Sequence, residues 1–86
     1  MRSQHIWTEK NEEGRKREVR VIKFGGNWKF QAKFKEDEQW TYFDVPLMED
    51  LLTVRDIVFR KYQRRRASSE DVEALDKLIK DRQRDE

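Results

Sequence analysis

In "NWKFQAKFK", Lys29, Lys33 and Lys35 alternate with Trp28, Phe30, Ala32 and Phe34. Successive side chains of an extended strand leave opposite faces, so this spacing collects ammonium groups in one row and rings in the other. A cationic row suits an acidic ligand: ammonium and guanidinium groups meet phosphate oxygens, and nearby rings offer flat surfaces on which bases stack. A second basic cluster, "FRKYQRRR" at 59–66, projects Arg60 and Arg64 together and, a turn apart, Lys61 and Arg65. It has the charge to clamp a phosphate backbone, but Lys and Arg also favour helix C-termini, where the dipole is negative.

Other chemistry is sparse. His5 is the only histidine and has no adjacent nucleophile, which makes it a strand residue before it is a general base. The "EDE" at 36–38 lacks the alternating oxygen ligands and central glycine of a calcium loop. Gly25-Gly26 precedes no helix whose amides would hold a phosphate. With no cysteine, disulfides and thiolate chemistry are excluded. The expectation is a non-enzymatic protein with no catalytic residues, no metal and no cofactor.

The chain has 86 residues, 44% of them charged and 35% hydrophobic, with ten aromatic rings placed in periodic runs. That composition predicts one small domain, 1–86, with a modest core. Without an apolar stretch of membrane-spanning or signal-peptide length, a cytoplasmic location is expected. The net charge of +2 is strongly segregated. Residues 15–35 carry eight Lys or Arg against Glu18 alone, residues 36–56 carry seven acids against Arg55, and residues 57–66 carry five bases and no acid.

Four strand-like runs lead the chain: "SQHIWTEK", "RKREVRVIKF", "NWKFQAKFK" and "WTYFDV". Short connections make them antiparallel neighbours over about 3–45. Pro46 ends the sheet, and Leu47, Leu51, Val54, Val58 and Tyr62 then recur at helical spacing, predicting a long helix over about 47–66. Ser68 and Ser69 are candidate caps for a shorter helix over about 69–84, with Val72, Leu75, Leu78 and Ile79 as its stripe and fraying through "DRQRDE". The fold class is α+β, a four-stranded antiparallel meander followed by two helices, the first covering one sheet face.

Register decides what joins the lysines. A two-residue loop at Gly25-Gly26 sets Val21 opposite Phe30, Val19 opposite Ala32 and Glu18 opposite Lys33. Four-residue loops at Asn11–Gly14 and Glu36–Gln39 set Ile6 beside Val19, Phe43 beside Ala32 and Val45 beside Phe30. The inner face then carries Ile6, Val19, Val21, Phe30, Ala32, Phe34, Phe43 and Val45. The outer face carries His5, Trp7, Arg20, Ile22, Phe24, Lys29, Lys33, Lys35, Trp40 and Tyr42.

Two readings of that outer face stand side by side. In one, Arg20, Lys29, Lys33 and Lys35 hold phosphates, Trp7, Phe24, Trp40 and Tyr42 stack bases, and Arg64 and Arg65 add a helix-end contact. This is non-catalytic binding of single-stranded DNA or RNA. In the other, the lysines only keep a half-buried sheet soluble, and the outer aromatics and second helix serve protein interaction or homo-oligomerisation. The segments "IWTEK", "GRKREVRVIKF", "NWKFQAKFK" and "WTYFDVPLMEDLL" resemble the PUR repeat of single-stranded nucleic-acid-binding proteins, over about residues 5–62. The pattern is similar to Whirly-type sheet proteins as well. Two PUR repeats interlock into one unit, so the resemblance implies a homodimer of this single-repeat chain. The expected partners are thus nucleic acid or another protein, with no membrane and no small-molecule substrate.

Overall fold

Four strands run in chain order through one antiparallel sheet: β1 (Arg2–Lys10), β2 (Lys16–Phe24), β3 (Asn27–Phe34) and β4 (Thr41–Phe43). Two helices follow, α1 (Met48–Gln63) and α2 (Ser69–Arg84), which makes the fold α+β with a β-meander. The computed structural model describes residues 2–84 and resolves into two compact units, the sheet up to Pro46 and the helical pair from Leu47 onward.

The central hairpin has the expected register. Gly25, at φ +62°, and Gly26 form its two-residue loop, and Val19 pairs with Ala32, Val21 with Phe30 and Glu18 with Lys33. The next hairpin departs by two residues: Phe43 lies opposite Phe30, and Thr41 takes the expected place of Phe43 opposite Ala32. An even shift keeps every side chain on its face. Val45, expected beside Phe30, lies beyond the end of β4 and is exposed.

The first hairpin departs by one residue, and there the faces exchange. Trp7, not Ile6, pairs with Val19, His5 pairs with Val21, and Ile6 pairs with Arg20. The cause is local to the loop. Gly14 donates its amide to the Asn11 carbonyl and takes φ +80°, after which Arg15 accepts from the Asn11 amide. This is a tight turn followed by a left-handed residue, with Glu12, Glu13 and Gly14 as a three-residue loop in place of four. The Asn11 Oδ1 accepts from the amides of Glu13 and Arg15 at 3.0 and 2.9 Å, holding the turn closed. Hence His5 and Trp7 lie on the inner face, and Ile6 is an outer residue, 50% exposed.

The inner face carries the sheet's core. Val19, Val21, Phe30 and Ala32 are buried, as is His5, whose ring stacks near Trp28 with centroids 6.4 Å apart. Cations at its margins lie over rings or pair with acids: Arg17 bonds Glu9 at 2.9 Å, and Lys23 lies over Trp28.

In the helical unit, α1 and α2 pack on each other and bury Leu51, Val54, Val58, Val72, Leu75 and Ile79. Each such aliphatic side chain contributes about 1.5–3 kcal/mol when removed from water. Arg55 crosses to Asp76 at 2.8 Å, and that hydrogen bond raises its pKa further above the ordinary arginine value. Buried Asp50 and Asp71 sit in the first turns, where the amide ends of the helices favour carboxylates. The Ser68 hydroxyl accepts from the Asp71 amide at 3.2 Å, as expected of a cap. Arg55 and Arg60 both find acids, Arg60 from Asp56 one turn earlier.

The second helix has the expected bounds, but at 16 residues it equals the first and is not the shorter of the two, because the first ends early. The first helix stops at Gln63, not near 66, because Arg65 turns left-handed at φ +60°. Its amide then bonds the Tyr62 carbonyl and the Arg66 amide bonds the Lys61 carbonyl, the paired closure of a Schellman end. The second helix is regular to Arg84 where fraying was expected from residue 81, and residues 85 and 86 lie outside the described residues. Among the described residues, no helix is long and apolar enough to cross a membrane.

One rule predicts opposite signs at two left-handed positions. A Cβ at positive φ costs about 1–2 kcal/mol, while glycine's extra freedom in the unfolded chain offsets about 0.5–1 kcal/mol of any gain from removing it. A Cβ built on Gly14 meets nothing within 4 Å, so Gly14→Ala carries only the conformational cost. Urea denaturation is expected to show Gly14→Ala destabilised by about 1 kcal/mol and Arg65→Gly stabilised by about 0.5–1 kcal/mol.

Candidate functional site

Pairing across the sheet fixes the composition of its outer face. Lys35 lies opposite Lys16, donating its amide to the Lys16 carbonyl, and the next row is Lys33, Glu18 and Thr8. The third row is Tyr42, Gln31, Arg20 and Ile6, and the fourth Lys29, Ile22 and Gln4. Phe24 and Asn27 close the far end beside the glycine turn. The face is therefore graded, from clustered lysines at the Lys16–Lys35 end to Ile22 and Phe24, with Lys29 beside them, at the other.

Trp40 joins this face from the segment just before β4. The Arg20 guanidinium lies over its ring at 4.3 Å from the centroid, and the Lys33 ammonium is at 5.4 Å. A ring quadrupole attracts both cations, by about 0.5–1 kcal/mol at an exposed site and more where water is excluded. Arg20 is half-buried, its Nε is shielded from water without a hydrogen-bond partner, and it forms no ion pair with a described residue. It is held against the indole ring, so its charge is oriented but not neutralised. Tyr42, two positions beyond Trp40, is 70% exposed, and Phe24 is 66% exposed.

Of the site residues expected from sequence, the structure brings together Arg20, Phe24, Lys29, Lys33, Lys35, Trp40 and Tyr42 on one face. Trp7 is removed from the set: its place opposite Val19 puts it on the inner face, with Nε1 buried and without a partner. Arg64 and Arg65 belong to the helical unit, at the exposed end of α1. Two members were missed. Thr8 and Lys16 line a cleft of about 310 Å³ with Glu18, Lys33 and Lys35. Pairing Arg15 with Asn11 across a three-residue loop gives the parity that places Thr8 there.

The cations on this face differ from their neighbours in lacking acids. Lys16, Lys29, Lys33 and Lys35 form no ion pair with any described residue. Arg15 instead bonds Glu36 at 2.7 Å, and that hydrogen bond holds the Glu36 carboxyl below its ordinary pKa. Among the described residues, no three His, Asp or Glu side chains are grouped to hold a metal ion. The sequence matches no protein-family model, and comparison with curated proteins and with solved structures gives no match.

Three substitutions separate this face from the core. Phe30→Ala should cost about 3–5 kcal/mol in urea denaturation, as for a buried ring. Arg20→Ala should cost about 0.5–1 kcal/mol through the lost contact with Trp40. Tyr42→Ala should change stability by less than about 0.5 kcal/mol. A Tyr42→Ala loss as large as that of Phe30→Ala would show that the phenol is not a surface group.

Proposed function

We propose that the outer face of the sheet binds single-stranded nucleic acid without catalysis. The observation that carries this reading is the Arg20–Trp40–Lys33 cluster beside exposed Tyr42, on a face whose lysines form no ion pair with a described residue. Phosphates need cations that are not already neutralised, and unpaired bases need flat surfaces. A guanidinium lying over an indole serves both, since bases stack on arginine planes as well as on rings. Each stacked base contributes about 1–3 kcal/mol, largely independent of its identity.

The preference for single strands follows from which part of the ligand the face can use. In a duplex the flat sides of the bases are covered by their neighbours, leaving Tyr42 and the Arg20 plane nothing to stack on. Lys29 and Lys33 are four residues apart on β3, about 13 Å, and Lys35 follows just past the strand's end. Those intervals lie within the stretch of an unstacked strand's phosphates. The PUR-like pattern of the sequence points the same way, and with it the pairing of two copies. A cytoplasmic setting accompanies this reading.

A protein-interaction reading has its own observation. Ile6 and Phe24 are outer-face residues at least half exposed, and exposed apolar side chains of that kind suit a protein surface, including a second copy.

Tryptophan fluorescence separates the two, because Trp40 lies in the site. A mixed-sequence oligonucleotide should quench emission at low salt, with affinity falling steeply from 50 to 200 mM salt, a slope of about 0.7 per phosphate neutralised. Replacing Lys29, Lys33 and Lys35 together by Gln should flatten that slope by about 2 while leaving the fold intact. Absence of quenching at low salt, with a tight dimer in sedimentation, overturns the nucleic-acid reading in favour of protein interaction.

A further inference from the structure

The two edges of the sheet are unlike each other. β4 is three residues long and Pro46 follows shortly, so it offers little backbone to another strand. β1 runs for nine residues without proline, glycine or a bulge, and carries no Lys, Arg, Asp or Glu from Ser3 to Thr8. Shortness, proline, bulges and charge are what keep an edge from pairing, and the centre of β1 has none of them. Hydrogen-bond parity shows which of its groups are open, because bonded and unbonded pairs alternate along an antiparallel ladder. Lys35 donates to the Lys16 carbonyl and Asn11 to the Arg15 carbonyl, so even-numbered residues of β2 bond β3 and odd-numbered ones bond β1. The partners of those odd residues are Ser3, His5, Trp7 and Glu9, and the backbone of Gln4, Ile6 and Thr8 therefore turns toward the open edge. None of these three makes a backbone hydrogen bond outside the sheet with a described residue.

We infer that this edge pairs with the same edge of a second copy, antiparallel and centred on Ile6, joining two four-stranded sheets into one. The pairing does not depend on what the outer face binds. A two-fold axis through Ile6, perpendicular to the sheet, sets Ile6 against the partner's Ile6, Gln4 against the partner's Thr8, His5 against the partner's Trp7 and Ser3 against the partner's Glu9. That register uses every outward amide and carbonyl of the strand. It covers the Ile6 side chain, 50% exposed in the single chain, with its own counterpart, and it brings an amide side chain to a hydroxyl at Gln4 and Thr8. Only the outermost pair, Arg2 with Lys10, is of like charge. The occupant is a second copy because the strand is complementary to itself in this way. The axis also consumes the long edge of each copy and leaves only the short β4 edges outside, so the assembly closes at two. Both outer faces lie on the same side of the joined sheet, which doubles the lysine row.

The test is sedimentation of the full chain, which should run as a dimer at high micromolar concentration and dissociate on dilution. Ile6→Pro removes an outward N–H and no hydrogen bond of the sheet itself, and should be a monomer at the same concentration. Ile6→Lys leaves the backbone unchanged and puts two ammonium groups on the axis; it should be a monomer too, and it decides the matter should the proline variant not fold. Phe24→Lys, on the outer face but not on the edge strand, should stay dimeric, which separates edge pairing from association through that face. The chain has no cysteine, so Ile6→Cys can form a disulfide only with a second copy. It should crosslink readily, whereas Lys10→Cys, about 27 Å from its counterpart in this register, should not. A wild type that is monomeric at every concentration refutes the pairing. So does a dimer that survives both Ile6→Pro and Ile6→Lys, one that Phe24→Lys dissolves, or equal crosslinking of the two cysteine variants. Oligonucleotide quenching is measured separately on the same samples, so loss of the dimer and loss of strand binding are told apart.

Discussion

A pleated strand gives each side chain one of two faces, and the parity of the preceding turn decides which. In this sheet that constraint is concentrated at Gly14. Its left-handed backbone closes a three-residue loop, and the two amide bonds to Asn11 Oδ1 keep Arg15 paired across from Asn11. With one residue more in the loop, His5 and Trp7 would face outward and Ile6 would enter the core. Everything on the outer face near β1, including the Thr8 side of the lysine cleft, depends on this odd count.

The two faces also use their cations differently. On the inner face, Arg17 is committed to Glu9 and Lys23 lies over Trp28. On the outer face, Arg20 and Lys33 share Trp40, a neutral partner that fixes their position and leaves their charge intact. Pairing with a carboxylate would orient them equally well but cancel the field. A ring thus prepares a cation for an anionic ligand in a way an acid cannot, and it does so without the desolvation cost of burying two opposite charges.

Much of this was legible from residue types alone. Two adjacent glycines between alternating runs specified the central hairpin, and the shift of the last hairpin was even, so Tyr42 and the lysine row kept their shared face. The helix stripe and the Ser68 cap were equally plain. The first hairpin was not, because "NEEG" fits both a four-residue loop and a turn that recruits Arg15; the choice depends on a side-chain acceptor bonding two amides. The end of α1 was hidden for a related reason. A left-handed closure is normally signalled by glycine or asparagine, and here the position is occupied by Arg65. The contact of Arg20 with Trp40 joins β2 to a segment beyond β3, so no local pattern announces it.

The segregated charge of the chain acquires a structural meaning from these details. The acidic block after residue 35 lies next in sequence to the lysine row and has the sign to neutralise it. Its members nearest the lysine row are engaged locally instead. Asp37 accepts from the Phe34 amide and returns its own amide to the Phe34 carbonyl, and Glu36 bonds Arg15. Further along, Asp56 takes Arg60 and Asp76 takes Arg55 within the helical unit. These acids thus close turns and join helices, and the lysines of the outer face form no ion pair with a described residue. Since charges in salt act over about 8–10 Å, a ligand at this face meets a locally cationic surface on a molecule whose net charge is only +2.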